Sequence, residues 1–248
     1  MRVFIVGLLL GIGLGVIWAF VIWDSEMLYF EAPPTSPLQP HATTTTMNQL
    51  HPVDNGTVYR SQWKKGVATV FWVGEVASDE NGFIANHASA WDEEWETHFG
   101  GLDNPECRTG FNPCGLLPRE NPFYVALPYS DLTDDGERKP NAARIPWNNS
   151  RAESESSVVK NRWVEIRVKG KSCFAQWEDV GPFETDDIEY VFGTAMRPKN
   201  TEGEKAGIDV SPAVRDCLSL SGSEEVDWRH VDRAGVPAGP WTVIVTEH

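Results

Sequence analysis

The chain has 248 residues, with 21 Lys and Arg against 36 Asp and Glu, for a formal net charge of −15. A composition of 41% hydrophobic and 23% charged residues is that of a folding chain rather than a disordered one. An acidic chain lacks the Lys and Arg that must meet phosphates, which argues against a nucleic-acid partner but not against a neutral substrate.

Residues 3–23 carry no charge, with Arg2 before them and Asp24 after. At about 1.5 Å per residue such a run spans a bilayer core of roughly 30 Å. A cleaved signal peptide has a shorter apolar region, about 7–15 residues, and a small-x-small cleavage site. Both readings stand for residues 1–24, an uncleaved signal anchor or a signal peptide. The length favours the anchor, and Arg2 at its short end places the body outside the cytoplasm. Gly7, Gly11 and Gly15 form a ridge that either packs two such helices or reflects the common use of small residues in membranes. Residues 25–62 read as a Pro/Thr-rich linker, with Pro33, Pro34, Pro37, Pro40 and the run from Thr43 to Thr46. A folded domain then occupies residues 63–248.

Runs rich in β-branched and aromatic residues predict strands at 67–73, 123–127, 162–168, 172–178, 226–231 and 241–246. Lys169-Gly170-Lys171 is a tight turn that makes a hairpin of the third and fourth. Two helices have start signals. Ser89-Ala-Trp-Asp92 resembles a capping box, followed by a stripe of Trp91, Trp95 and Phe99. Ser211-Pro212 is an N-cap with Pro at the first helical position, after which Ala213, Val214, Cys217 and Leu218 face inward and Gly222 ends the helix. The polar stretches 131–157 and 197–207 read as loops. Six strands, few helices and long insertions predict a mainly β fold, a small barrel with decorated loops.

Cys107, Cys114, Cys173 and Cys217 all lie in this body. An oxidising compartment permits disulfides, and four Cys allow three pairings. Cys107 with Cys114 closes a short loop and Cys173 with Cys217 ties a strand to a helix; the alternative is four buried thiols. There is no CxxC, HExxH, GxSxG or P-loop. The six His (His41, His51, His87, His98, His230, His248) are scattered, so neither a metal site nor a cofactor is expected.

What remains is carboxylates near aromatics. Asp179 stands where a strand meets Gly181-Pro182, and Asp209 stands immediately before a helix. Such a pair suits acid/base chemistry on a glycosidic bond, although either residue also suits a turn or a cap. Among the eleven Trp, Trp18 and Trp23 fall in the apolar run, and Trp72, Trp91, Trp95, Trp147, Trp177 and Trp228 are candidates to stack on sugar rings or to fill a core. The helical spacing of Trp91 and Trp95 favours core.

The stretch Cys173-Phe-Ala-Gln-Trp-Glu-Asp-Val-Gly-Pro-Phe183, followed by Gly207-Ile-Asp-Val-Ser-Pro-Ala-Val214, resembles the double-psi β-barrel of the rare lipoprotein A-like family. Expansins, barwin-like endoglucanases and membrane-bound lytic transglycosylase A share that fold. The resemblance implies a six-stranded double-psi β-barrel through residues 66–246. It also implies a bacterial envelope protein that acts on or binds peptidoglycan or another β-linked glycan. Asp179 then takes the place of the general acid/base, and Asp209 that of a second polar group in the groove. Active relatives carry a His in the strand that crosses the groove. The equivalent stretch here, 123–131, has none and offers Tyr124 or Asp131 instead. Trp72, Tyr124, Asp131, Trp177 and Trp228 complete the expected substrate-binding set. Three functions are compatible with this resemblance: a lytic transglycosylase-like or glycoside hydrolase-like enzyme, a non-catalytic glycan-binding barrel, or an envelope assembly protein with a protein partner.

Overall fold

A computed structural model describes residues 59–148 and 156–247. The expected anchor at 3–23 and nearly all of the linker lie outside the described residues. Among the described residues no helix is long and apolar enough to cross a membrane.

Among the described residues eight strands form, β1 (Lys64–Val70), β2 (Arg108–Thr109), β3 (Asn112–Pro113), β4 (Tyr124–Leu127), β5 (Arg162–Val168), β6 (Lys171–Val180), β7 (Ala206–Val210) and β8 (Glu224–Val231). The short helices are α1 (Trp95–Phe99), α2 (Ile188–Val191) and α3 (Pro212–Leu218). Six strands close a barrel in the order β1-β7-β4-β6-β5-β8, and β8 pairs back onto β1. The β1–β7 and β4–β6 pairs are parallel and the other four antiparallel. This topology is compatible with a double-psi β-barrel. β2 and β3 make a separate two-stranded hairpin.

Alternation fills the interior. Val164 and Ile166 of β5, Ala175 and Trp177 of β6, Ile208 and Val210 of β7, and Val226 and Trp228 of β8 point inward and are buried. Trp163 and Phe174 take the opposite phase and pack outside with Val231 and Val236. His230 follows the inward phase of β8. Its ring stacks on Phe192 with centroids 5.2 Å apart, neither ring nitrogen has a hydrogen-bond partner, and burial pushes its pKa down to about 3. It is therefore a neutral core residue.

The β5–β6 turn has positive φ at both Lys169 and Gly170, the geometry that matches strand twist in a two-residue hairpin. α3 begins as expected, the Ser211 side chain accepting from the Val214 amide. It ends at Ser219 in the left-handed region rather than at Gly222. Cys107 is bonded to Cys114 and Cys173 to Cys217, with Cα–Cα distances of 5.3 and 6.2 Å.

Three expectations need correction. Residues 241–246 form no strand. β8 closes on β1 and leaves no edge for them, so Pro240–Thr242 makes a 3-10 turn instead. The backbone of Thr246 is held by the Gln176 side chain, which accepts from its amide and donates to its carbonyl, both at 2.9 Å. The stretch read as a loop to residue 207 contains the start of β7, a strand between β1 and β4. Ser89 caps no helix: residues 89–92 are turns and α1 starts only at Trp95. Trp95 and Phe99 nevertheless pack as a stripe, with Phe71, Val73, Tyr124 and Ala126 on the outer wall of the barrel.

Candidate functional site

By simple alternation Asp179 would point inward, two residues after the buried Trp177. The β4–β6 register slips by one residue at this point: Val125 pairs with Trp177, but Ala126 pairs with Asp179, and Glu178 is the extra residue. Such an irregularity inverts the phase of the strand beyond it. Ala126 also pairs with Asp209 across β4–β7. Asp209 faces outward by alternation, between the inward Ile208 and Val210. Asp179 and Asp209 therefore flank Ala126 on one rung of the outer wall, their Cα atoms roughly 10 Å apart as two strand spacings require.

Both carboxyls line a cleft of about 400 Å3. One wall comes from the segment after β1, with Phe71, Trp72, Glu75 and Asn86. The other comes from Gly181, Pro182 and Phe183 after β6 and from Gly203 and Glu204 before β7. The Gly181–Pro182 peptide bond is cis. Gly181 makes room for the carboxyl beside it, since a Cβ there would stand 3.3 Å from Oδ2 of Asp209. Trp72 is half-buried and Phe183 is 51% exposed, so the cleft presents aromatic faces beside its carboxyls.

The Ala90 amide donates to Oδ1 of Asp179 at 2.8 Å, and the Thr69 hydroxyl donates to Oδ1 of Asp209. Burial outweighs these bonds. It pushes Asp179 up to about 6 and Asp209 up to about 7, the latter helped by the negative charges of Asp179 and Glu75. Glu75 is raised too, by burial, although the Asn86 side chain donates to its Oε2 at 2.7 Å. Three carboxyls thus converge on one cleft, each shifted toward its protonated form. That arrangement supplies a proton donor and a proton acceptor near neutral pH.

Of the expected site residues, Asp179, Asp209 and Trp72 come together here. The other four do not reach the cleft. Trp177 and Trp228 are fully buried in the barrel interior, where their indole N–H groups donate to the Asp179 carbonyl and the Tyr190 hydroxyl. Stacking on a sugar is closed to both. Tyr124 lies under α1, its hydroxyl donating to Oδ2 of the buried Asp103 at 2.8 Å. Asp131 is buried and accepts from Arg138, from Ser157 Oγ at 2.7 Å and from the Val158 amide at 2.8 Å, which makes it an anchor for its loop. Sequence reasoning missed Thr69, Glu75 and Phe183. Thr69 is signalled by its outward phase on β1 and Phe183 by its place in the Gly-Pro-Phe motif; nothing local marks Glu75.

Among the described residues no histidine lines the cleft. A slightly larger cleft of about 460 Å3, between Trp147, Arg162 and Arg233, contains none of the predicted site residues, and we place the site where the carboxyls meet. No family model matches the chain, and a search of curated proteins returns no match.

Proposed function

We propose that the protein binds a β-linked cell-wall glycan, peptidoglycan in the first instance, in the Asp179–Asp209 cleft and cleaves it in the manner of a lytic transglycosylase. The observation that carries this is the pair itself, two carboxyls on one rung of the wall, both opening on one cleft and both shifted toward neutrality. The resemblance to rare lipoprotein A-like double-psi barrels points the same way. Asp179 is the general acid/base of that resemblance. Asp209 keeps its proton to higher pH, so midway between their pKa values the pair holds one proton on average, mostly on Asp209. Protonation of the leaving oxygen by the pair, with the sugar's own 6-hydroxyl giving its proton to the ionised partner, needs no external nucleophile. Trp72 and Phe183 supply faces on which sugar rings stack. The apolar run 3–23 anchors the barrel to the membrane on its outer side.

Incubation of the purified protein with peptidoglycan sacculi is expected to release anhydro-muropeptides. Asp179→Asn is expected to lower the rate by about 100-fold or more, the usual scale for general acid/base groups. No release by the native protein, or equal release by the variant, rejects cleavage. That none of the described residues lining the cleft is a histidine favours a second reading, a barrel that binds glycan without turnover. On that reading both proteins are retained on insoluble peptidoglycan and neither releases product.

A further inference from the structure

The cleft of about 460 Å3 opens where β5 begins and β8 ends. That volume suits a small molecule. Its walls are aromatic: the Tyr59 and Trp147 rings meet edge to face at 5.9 Å, with Trp163 beside them. Lys160, Arg162 and Arg233 bring three cations to it, in a chain whose net charge is −15. The Arg162 guanidinium lies 5.1 Å from the Trp147 ring centroid, and that of Arg233 lies 5.2 Å from the Trp163 centroid. Arg167 and Arg229, on the same two strands, pair with Asp227 and Glu165. Among the described residues none of the three cleft cations forms an ion pair. Arg162 Nε donates to the Val158 carbonyl at 3.1 Å, which fixes the side chain and leaves its two terminal nitrogens for a guest.

The second observation is His230. It lines the same cleft, is 1% exposed, and has no hydrogen-bond partner at either ring nitrogen. A neutral imidazole carries one N–H donor and one acceptor, and burying both unmet is costly. Its ring meets the Trp147 ring edge to face at 5.1 Å, so the unmet imidazole and the Arg162 cation are both neighbours of one indole. Unpaired cations and an unmet buried imidazole are groups that an acceptor-rich guest satisfies together. Asp232 sets one negative charge in the same wall, its Oδ2 accepting from the Tyr59 amide at 2.8 Å. That charge favours a singly charged guest over a phosphate dianion.

We propose that this cleft binds a small organic carboxylate with a flat or apolar body. The terminal nitrogens of Arg162 offer parallel N–H donors to the two carboxylate oxygens, and Arg233 and Lys160 add attraction. The body of the guest rests against Tyr59 and Trp147, and the buried His230 imidazole meets a polar atom of it. This cleft shares no lining residue with the Asp179–Asp209 cleft, and the site does not depend on what that cleft binds.

The test is calorimetric titration of the full-length protein with N-acetylphenylalanine as the probe, and with its amide and inorganic phosphate in parallel. We expect one molecule of the acid per chain, with the amide and phosphate at least about tenfold weaker. Affinity should fall at least about tenfold in Arg162→Lys, which keeps the charge but loses the planar fork, and in Arg233→Gln. It should stay unchanged in Asp179→Asn. Arg162 and Arg233 are exposed, so both variants keep the fold, and their melting temperatures without ligand should equal that of the native protein. No binding of the acid, equal binding of the amide, tighter binding of phosphate, or unchanged affinity in both Arg variants would overturn the assignment.

Discussion

Thr69 and Asp209 face each other across a parallel β1–β7 rung, and the Thr69 hydroxyl donates to the Asp209 carboxylate. That bond favours the ionised form and so restrains the rise that burial imposes on Asp209. Activity should trace a bell whose limbs lie near pH 6 and pH 7, set by Asp179 and Asp209 as a coupled pair. Removing the donor in Thr69→Val leaves burial unopposed, so the alkaline limb should move upward while the acid limb stays. Rates of muropeptide release across pH 4–9 measure both limbs. An unmoved alkaline limb means that Asp209 is not the group that titrates there.

The same burial makes a statement about stability. A carboxyl whose pKa is raised in the fold binds its proton more tightly there than in the unfolded chain. The native state thus holds more protons between the unfolded value near 4 and the folded value near 7, and stability falls as pH rises through that window. Asn at position 209 carries no charge at any pH and keeps an acceptor for Thr69. Asp209→Asn should therefore match the native protein near pH 4 and exceed it at pH 8. The gain has an upper limit of a few kcal/mol, because part of the Asp209 side chain remains open to the cleft. Thermal melts at the two pH values decide it, and equal differences at both would remove burial as the cause of the shift.

The β5–β6 hairpin is legible in the sequence because a two-residue Lys-Gly turn joins long runs of strand formers, so local chemistry and tertiary pairing agree. β7 is not legible. Gly207 and Asp209 interrupt a run of only five residues, and its partners β1 and β4 are remote in the chain. The candidate pair is marked by its motifs, but the outward aim of Asp179 depends on a one-residue slip at Glu178 that no local pattern announces. Trp177 and Trp228 show the opposite limit. An aromatic on a strand suits a groove or a core equally, and only closure of the barrel puts both inside.

Cys173–Cys217 joins β6 to α3 across 44 residues, whereas Cys107–Cys114 spans 7. In the loop-entropy account the two stabilise the fold by about 4 and about 2.5 kcal/mol. Cys173→Ala with Cys217→Ala should therefore lower the melting temperature more than Cys107→Ala with Cys114→Ala. α3 comes directly after β7, so the first double variant should also weaken glycan cleavage. Melts with and without reductant on each variant separate the two bridges, and a larger loss from the short loop would show that strain or packing, not loop closure, dominates.

Tyr124 separates scaffold from site. Its hydroxyl accepts from the Val73 amide at 3.0 Å and donates to Asp103, which is fully buried and also paired with Arg108. Tyr124→Phe keeps the ring contacts with Phe71, Trp95 and Phe99 but removes one acceptor and one donor inside the wall. A buried group left without its partner costs about 1–3 kcal/mol, so the melting temperature should fall by several degrees. The cleft carboxyls are untouched, since the hydroxyl reaches neither Asp179 nor Asp209. The rate of muropeptide release by folded protein should therefore equal the native rate at temperatures well below the melt. A variant that melts normally but loses activity would place the Tyr124 hydroxyl in the reaction and overturn its role as a strut beneath α1.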